Sequence, residues 1–168
     1  MMNLKFPISL VGKRGESLPL RDDVRRSNNN FTSLTSGIQT LSRSSALGAT
    51  LEIWKAFDNN TGTAWLTTGG LPVWMKIDFG QDQTIYSIMY NVRNDTGGIQ
   101  SPKNFTIESS DDNINWTLRS TAVDAPRDQD NNLVHDLDEP ATARYWRFTC
   151  TASYGENRIG LNIMEWRS

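Results

Sequence analysis

Hydrophobic and polar residues alternate with a period of two along much of the chain after Gly37. The alternation is clearest in residues 73–79 and again in residues 86–92, and Gly80 stands between these two runs. Because successive side chains of a strand point to opposite faces, each run predicts a strand, and we expect the first to end at Gly80. Similar short runs occur later in the chain, and no long amphipathic helix pattern interrupts them. This spacing of strands is typical of an all-β sandwich or barrel.

The last two alternating runs place distinctive residues on one strand face. Trp146 and Cys150 share a face, so we expect Cys150 to be a small buried apolar side chain. Glu165 shares its face with the apolar Leu161 and Ile163. A carboxylate on an apolar face is costly in free energy unless it pairs with a cation or binds a metal ion. A cation partner would therefore explain the position of Glu165.

Residues 1–36 show no sustained period and differ in this from the rest of the chain. Pro and Gly residues interrupt this segment, and residues 21–26 form a cluster of charges. We therefore predict an extended N-terminal arm or linker over residues 1–36 and a sandwich over residues 37–168. Two interpretations of the arm stay open: a poorly ordered terminus, or a segment that orders against a partner. The second rests on alternating apolar residues, namely Leu4, Phe6, Ile8, Leu10, Leu18 and Leu20.

Composition limits the functions that the chain can have. Its 168 residues carry a net charge of -2, which gives no reason to expect nucleic-acid binding. No apolar run approaches the ~20 residues that a membrane span needs, so we do not expect a membrane partner. The single cysteine, Cys150, excludes an internal disulfide. No set of catalytic residues and no Gly-rich phosphate loop is recognisable, so we expect the protein not to be an enzyme.

An oxygen-rich loop lies between apolar anchors in the sequence K-A-F-D-N-N-T-G-T-A-W, residues 55–65. Residues 58–63 are all turn formers, and Phe57 and Trp65 bracket them. Carboxylate, hydroxyl and backbone carbonyl oxygens are the hard ligands that Ca²⁺ binds at about 2.3–2.6 Å. On local composition alone, a solvated turn is the simpler interpretation.

Five sequence blocks occur in the order found in one known family. They are A-F-D-N-N-T-G-T-A-W, P-V-W-M-K-I-D-F-G, S-P-K-N-F-T-I-E-S-S-D-D-N-I-N-W, A-R-Y-W-R-F and I-M-E-W. With these blocks, residues 37–167 resemble a discoidin domain, the coagulation-factor C-type module, whose bacterial form is the family 32 carbohydrate-binding module. The resemblance implies the galactose-binding-like fold, an eight-stranded antiparallel jelly-roll sandwich. Vertebrate members close their ends with a disulfide, so the single cysteine favours the bacterial or viral branch.

The resemblance also implies a structural Ca²⁺ site in the oxygen-rich loop. The implied ligands are carbonyl or side-chain oxygens of Lys55, Asp58, Asn60, Thr63 and Glu165. Asn59 stands where the family often has glycine. Asparagine tolerates the left-handed backbone conformation, so we expect this departure to cost little.

A sugar site is the second feature that the resemblance implies. In related modules, loops at one end of the sandwich gather an aromatic ring, an arginine and amides around a sugar. The corresponding glycan-binding candidates are Arg93, Asn94, Gln100, Tyr154, Asn157 and Arg158. The only histidine, His135, lies in a strand-like run, where we expect an exposed strand face. Ordinary polar turns explain the same loops equally well.

Three functions are compatible with these features. The first is a virion protein of a phage tail or fibre, a calcium-stabilised adhesion component that contacts other subunits or itself through its arm. No secretory signal is convincing, so this hypothesis expects synthesis in a host cytoplasm and a place in the virion. The alternative is a bacterial extracellular or cell-surface carbohydrate-binding module with no virion role. A third hypothesis, binding to a lipid surface, needs exposed apolar residues, for which Leu66 and Leu71 are the candidates.

Overall fold

Two long strands organise the structure, because each contributes to both layers of a sandwich. The computed structural model describes residues 31–94 and 97–168, and eight strands lie within them. They are β1 (Thr35–Ser36), β2 (Gln39–Arg43), β3 (Trp65–Leu66), β4 (Val73–Val92), β5 (Pro102–Ser110), β6 (Thr117–Ala122), β7 (Leu133–Ser153) and β8 (Gly160–Arg167). Every pairing between these strands is antiparallel. The predicted eight-stranded antiparallel sandwich is thus confirmed.

The larger layer has the strand order β1-β2-β4-β7-β5-β6. The alternation predicted for residues 73–79 is observed, since Val73, Met75 and Ile77 are at most 1% exposed. Ile77 pairs with Trp146 of β7, and both side chains are fully buried. The inner face of this layer therefore follows the period-two pattern of the sequence.

Gly80 does not end the strand, so the predicted strand boundary is wrong. β4 continues to Val92, and its register with β7 shifts between Asp78 and Gln83. Gly80 has a φ of +74°, and a Cβ at this position would lie 2.8 Å from the carbonyl oxygen of Ile38. The glycine therefore belongs to a bulge rather than to a terminating turn. Beyond this bulge, β4 passes from the larger layer into the smaller one.

The smaller layer contains β3, β8, the second half of β4 and the start of β7. Ile88 of β4 pairs with Trp166 of β8, and both are fully buried in the core. Glu165 pairs with Met89. The side chains of these two residues lie on the face of β4 and β8 opposite to that of Ile88 and Trp166. The short 3₁₀ turn Ile53–Ala56 packs against β8. This contact brings the start of the oxygen-rich loop beside the strand that carries Glu165.

Cys150 is a buried member of the core, as its strand face predicts. It is fully buried between Val73 of β4 and Phe105 of β5 in the strand register. Burial raises the pKa of its thiol to about 12. The thiol therefore stays protonated at neutral pH and is not available as a nucleophile.

The sandwich begins earlier than the predicted boundary between residues 36 and 37. Phe31 is fully buried, and its ring centroid lies 5.8 Å from that of Phe57 in an edge-on contact. Thr35 and Ser36 form β1 and pair with β2. Residues 31–36 thus pack with the sandwich. The rest of the predicted arm, residues 1–30, lies outside the described residues.

Candidate functional site

Side chains of the oxygen-rich loop accept hydrogen bonds from the loop's own backbone. Oδ1 of Asp58 accepts a hydrogen bond from the backbone N of Asn60 at 3.0 Å. Oδ1 of Asn60 in turn accepts from the backbone N of Gly62 at 2.9 Å. Asn59 has a φ of +57°, a left-handed conformation that asparagine tolerates. Two successive side-chain-to-backbone turns therefore give residues 58–63 a defined shape.

The hydroxyl of Thr63 is surrounded by oxygen atoms. Its Oγ1 lies 2.8 Å from Oδ2 and 2.9 Å from Oδ1 of Asp58, 2.9 Å from the carbonyl oxygen of Asn60 and 3.3 Å from that of Lys55. A hydroxyl has one proton and can donate it to only one of these acceptors. The other contacts bring oxygen atoms together with no proton between them. A cation among these oxygens would offset their repulsion, and the mixture of carboxylate, carbonyl and hydroxyl oxygens suits Ca²⁺.

The structure thus brings four of the five predicted cation ligands together, and Glu165 lies on the adjacent strand. Glu165 is 3% exposed, and its Oε2 lies 3.8 Å from Nε of Arg167. Within residues 31–94 and 97–168, no group of three or more His, Cys, Asp or Glu side chains is arranged to hold a metal ion. The predicted donor set differs from such groups, because only Asp58 and Glu165 contribute carboxylates. Its remaining oxygens come from backbone carbonyls and one hydroxyl.

Buried aromatic residues hold both ends of the oxygen-rich loop. Phe57, before the loop, is 2% exposed, and Trp65, after it, is fully buried. Nε1 of Trp65 donates a hydrogen bond to the carbonyl oxygen of Ser45 at 3.0 Å. The backbone of Trp65 also pairs with Leu161 of β8. The hydrophobic core therefore fixes the positions from which the loop starts and to which it returns.

The chain that leaves this loop is hydrogen-bonded to one of the predicted sugar loops. Thr67 N donates to the carbonyl oxygen of Ile159 at 3.0 Å, and Ile159 N donates to Oγ1 of Thr67 at 3.1 Å. Leu71 N donates to Oδ1 of Asn157 at 3.0 Å. Asn157, a glycan-binding candidate, thus supports the neighbouring segment. The oxygen-rich loop of residues 55–65, which we also call the cation loop, and the loop at residues 154–160 are parts of one continuous hydrogen-bonded region.

Two glycan-binding candidates meet at Gly160, and a third, Arg158, joins them through Glu156. A Cβ at Gly160 would lie 3.0 Å from Cδ of Arg93 and 3.1 Å from Oε1 of Gln100, so both side chains pack on this glycine. Nε2 of Gln100 donates to Oε2 of Glu156 at 3.2 Å, and Glu156 forms an ion pair with Arg158. Gln100 is 1% exposed, so its amide supports Glu156 from within the protein. We call Arg93, Gln100, Glu156 and Arg158 the loop cluster.

Glu156 is the central residue of the loop cluster, although it is not among the glycan-binding candidates selected from the sequence. The hydrogen bond from Arg158 is the largest of the effects that hold the pKa of Glu156 below its ordinary value. Gln100 and the positive charge of Arg93 act in the same direction. The carboxylate is therefore ionised at neutral pH. Its proximity to Arg93 depends on how two separate loops pack, which no local pattern encodes.

Tyr154 and Asn94 are not part of the loop cluster. The Tyr154 hydroxyl donates to the carbonyl oxygen of Ala125 at 2.6 Å. The guanidinium carbon of Arg127 lies 4.9 Å from the Tyr154 ring centroid, and Nζ of Lys103 lies 5.7 Å from it. Cations therefore lie over the ring that was expected to form a sugar platform. Asn94 is exposed to solvent.

The expectation that Leu66 is exposed, on which the lipid-surface hypothesis depends, is wrong. Leu66 is 3% exposed, and Leu71 packs in part against the core. In the part of the chain that the structure describes, no helix is both long enough and apolar enough to cross a membrane. The burial of Leu66 removes one of the two candidate residues for lipid binding, and Leu71 is only partly exposed.

His135 is less exposed than its strand-like sequence suggests. Its Nε2 lies 2.8 Å from Oγ of Ser120, and its ring centroid lies 4.9 Å from that of Phe105. Burial lowers the pKa of His135, although the carboxylates of Asp136 and Asp138 act in the opposite direction. The histidine therefore joins the edge of β6 to the start of β7 and lies apart from the loop cluster.

Three solved structures with a similar fold come from bacterial proteins. A putative chitobiase fragment from Bacteroides thetaiotaomicron has a TM-score of 0.70 and 19% identity, over 90% of this chain and 95% of that one. The family 32 module of NanJ from C. perfringens, in complex with galactose, has a TM-score of 0.67 and 19% identity, over 78% of this chain and 94% of that one. CpGH89CBM32-5 from Clostridium perfringens, in complex with GalNAc-β-1,3-galactose, has a TM-score of 0.67 and 14% identity, over 76% of this chain and 94% of that one.

At these identities the likeness concerns the fold, and the family follows from the sequence. No curated protein matches the chain. The family model of the F5/8 type C domain matches residues 40–165, which is most of the chain and nearly all of the sandwich. The resemblance to a discoidin domain is thereby confirmed: the chain belongs to the F5/8 type C domain family.

Proposed function

We propose that the protein is a non-catalytic carbohydrate-binding module whose loop cluster contacts a glycan. The observation that carries this proposal is the gathering of Arg93 and Arg158 around the ionised carboxylate of Glu156. Guanidinium groups donate several hydrogen bonds in fixed directions, and the carboxylate accepts them. A sugar presents hydroxyl groups that both donate and accept. The loop cluster therefore has the polar groups that a sugar needs, held in place before binding.

The similar structures support the sugar as the ligand class. The NanJ module was solved in complex with galactose, and CpGH89CBM32-5 in complex with a disaccharide that contains galactose. We therefore propose galactose-type sugars as the first ligands to test on this chain. Family membership and fold alone do not determine a ligand, so the loop cluster has to account for the binding.

The glycan-binding candidates have different roles in this proposal. Arg93 and Arg158 of the loop cluster contact the sugar, because their side chains are partly exposed, and Asn94 stays a candidate contact because it is exposed next to Arg93 in the chain. Gln100 holds Glu156 in place, since it is buried and donates to that carboxylate. The Asn157 side chain accepts a hydrogen bond from the backbone of the neighbouring segment 65–71. The Tyr154 hydroxyl joins its own loop to Ala125.

We also propose that Ca²⁺ binds the oxygen-rich loop. Lys55 and Asn60 would provide carbonyl oxygens, Asp58 its carboxylate and Thr63 its hydroxyl, with Glu165 from β8 as the further ligand. The close contacts around Thr63 Oγ1 support this choice. Bound there, the ion would supply a cross-link between the loop and the last strand, and it would take no part in a reaction.

The proposed setting is the surface of a bacterial cell or a secreted bacterial protein. Modules of bacterial proteins are among the similar structures, which favours the alternative hypothesis of a bacterial carbohydrate-binding module over the virion hypothesis. Neither the fold nor these similarities offers support for a phage tail or fibre. Contact with other subunits through residues 1–36 stays a prediction, because most of that segment lies outside the described residues.

A glycan array probed with the full chain tests the proposal. We expect binding to galactose- or GalNAc-terminated glycans and its loss in Arg93→Ala and Arg158→Ala. Each substitution removes charged hydrogen bonds worth on the order of 1–3 kcal/mol, which is roughly a tenfold loss or more. Arg119→Ala is the matched control, because Nε of Arg119 donates to Ser109 at the far edge of the larger layer. Binding that is absent, or equally strong in all three variants, would contradict the proposal.

A further inference from the structure

We infer that Phe31 is a positioning residue for the cation loop, so that calcium and the chain segment entering the sandwich at residue 31 stabilise each other. This inference rests on the proposed Ca²⁺ site. It goes beyond that site because Phe31 lies outside residues 40–165, the part of the chain that the family model matches. Phe31 itself provides no ligand to the ion.

The contacts of Phe31 converge on the residue that begins the cation loop. Phe31 N donates a hydrogen bond to the carbonyl oxygen of Phe57 at 3.1 Å. The two rings meet edge-on with centroids 5.8 Å apart and planes at 65°. Phe31 is fully buried, and Phe57 is 2% exposed. One residue thus holds both the backbone and the side chain of Phe57.

The opposite side of Phe57 is held by the preceding turn. Phe57 N donates to the carbonyl oxygen of Trp54 at 3.0 Å, which closes the 3₁₀ turn Ile53–Ala56. The carbonyl oxygen of Phe57 accepts a hydrogen bond from Phe31 N. Since Asp58 follows directly, the orientation of the Phe57 peptide sets where the Asp58 carboxylate points. Loss of the Phe31 contact would leave that peptide held on one side only.

A site with few carboxylates depends strongly on such positioning. Of the five proposed ligands, only Asp58 and Glu165 carry charge in their ligand atoms. Calcium affinity rises with the number of charged ligands and with the rigidity of the site. With little charge, this site has to obtain its affinity from a loop that is already shaped for the ion. Trp65 fixes the end of the loop through Ser45, and Phe31 has the equivalent role at its beginning.

The coupling has to be reciprocal. If the Phe31 contacts favour the calcium-binding shape of the loop, then bound calcium favours the Phe31 contacts by the same free energy. Calcium would therefore hold residues 31–36 on the sandwich. Its removal would increase exchange of the Phe31 amide proton, whose hydrogen bond ends on Phe57. Ordinary core packing by Phe31 would lower stability on mutation but would leave calcium affinity unchanged.

The test measures Ca²⁺ binding by titration calorimetry on the full chain and on three variants. We expect Phe31→Ala to weaken binding by a factor within the roughly 5–150-fold range typical of coupled sites, and Phe31→Leu to weaken it less. Ile107→Ala is the control, because Ile107 is a fully buried core residue of β5, a strand that contains none of the proposed calcium ligands. This control should lose stability and keep its calcium affinity.

Hydrogen exchange on the unmodified chain gives a second measurement that needs no variant. The Phe31 amide should exchange faster in chelator than in Ca²⁺, while amides in the β5–β7 ladder should change little. Unchanged affinity in Phe31→Ala, or unchanged Phe31 exchange in a chain that binds calcium, would overturn this inference alone. Failure of the unmodified chain to bind Ca²⁺ would overturn the calcium site and this inference together.

Discussion

The hydroxyl oxygen of Thr63 lies within 2.9 Å of both carboxylate oxygens of Asp58. The hydroxyl can donate its single proton to only one of these oxygens or to one of the carbonyl oxygens of Lys55 and Asn60, which are also close. Backbone N–H groups of Asn60 and Thr63 donate to Asp58 Oδ1 and to the Asn60 carbonyl oxygen, and the remaining oxygen–oxygen contacts have no proton between them. The loop thus concentrates negative and partly negative atoms at one point. Its ends are held by the core, so the oxygens cannot simply move apart.

Calcium should therefore stabilise the fold, and Asp58→Asn should remove this effect. A ligand that binds only the native state adds about 2.7 kcal/mol at a hundredfold excess over its Kd. For a chain of this size we expect the melting temperature to rise by about 5–10 °C when calcium replaces chelator. Asp111→Asn is the control, because Asp111 is exposed in a turn outside the cation loop. A calcium-dependent shift that persists in Asp58→Asn would contradict this assignment.

Tyr154→Phe should destabilise the protein although Tyr154 is a loop residue. The substitution removes the 2.6 Å hydrogen bond to the carbonyl oxygen of Ala125 and leaves the ring in place. We expect a loss of about 0.5–1.5 kcal/mol in the free energy of unfolding, measured by urea denaturation. Glycan binding should change little, because the hydroxyl is engaged within the protein. If Tyr154→Phe has the stability of the unmodified chain, the tyrosine does not tie the loops together.

Gly80→Ala should be more damaging than an alanine at another left-handed glycine. A Cβ at Gly80 would meet the carbonyl oxygen of Ile38 at 2.8 Å in addition to the strain of a φ of +74°. Gly48, with a φ of +81°, has open space around its Cβ position. We expect Gly80→Ala to cost about 1–3 kcal/mol and Gly48→Ala to cost less, by thermal or chemical denaturation. Equal losses at the two sites would show that the bulge tolerates a side chain.

The stability of the protein should fall as the pH drops below about 6.5, the ordinary pKa of histidine. Burial lowers the pKa of His135 in the folded state, so the unfolded chain binds the proton more tightly. The contribution of neutral His135 is therefore complete above the unfolded pKa and is lost as the pH falls toward the folded value. His135 is the single histidine of the sequence, so His135→Gln should flatten this dependence between pH 7.5 and 5.5. The same slope in both proteins would assign the effect to other groups.

The sequence predicts best those features that depend on local order. Alternation identifies the inner face of residues 73–79, and the short spacing between Asp58 and Thr63 brings both side chains to one loop. Gly80 shows the limit of such reasoning. Glycine is favoured both where a strand ends and where it bulges, and only the pairing of β4 with its neighbours distinguishes the two cases.

The sugar site is harder to predict, because its contacts join loops that are distant in the sequence. Tyr154 binds Ala125 and lies beside Arg127, from a loop whose polar sequence has no period. Glu156 accepts a hydrogen bond from Gln100, which belongs to a different loop. Residue type alone selects Tyr154 as a sugar ligand and leaves Glu156 out of the candidates, whereas tertiary packing gives both of them structural partners.

The central claim is that the loop cluster binds a sugar, and a residue-resolved NMR titration with galactose and with GalNAc tests it most directly. The full chain is titrated in the presence of Ca²⁺ while its backbone amide shifts are followed. We predict saturable shifts at residues 93–94 and 156–160, with little change in β5 and in the edge strand β6. The same titration of Arg158→Ala should show those shifts strongly reduced. Absence of saturable shifts with either sugar, or shifts confined to another face of the sandwich, would contradict the claim.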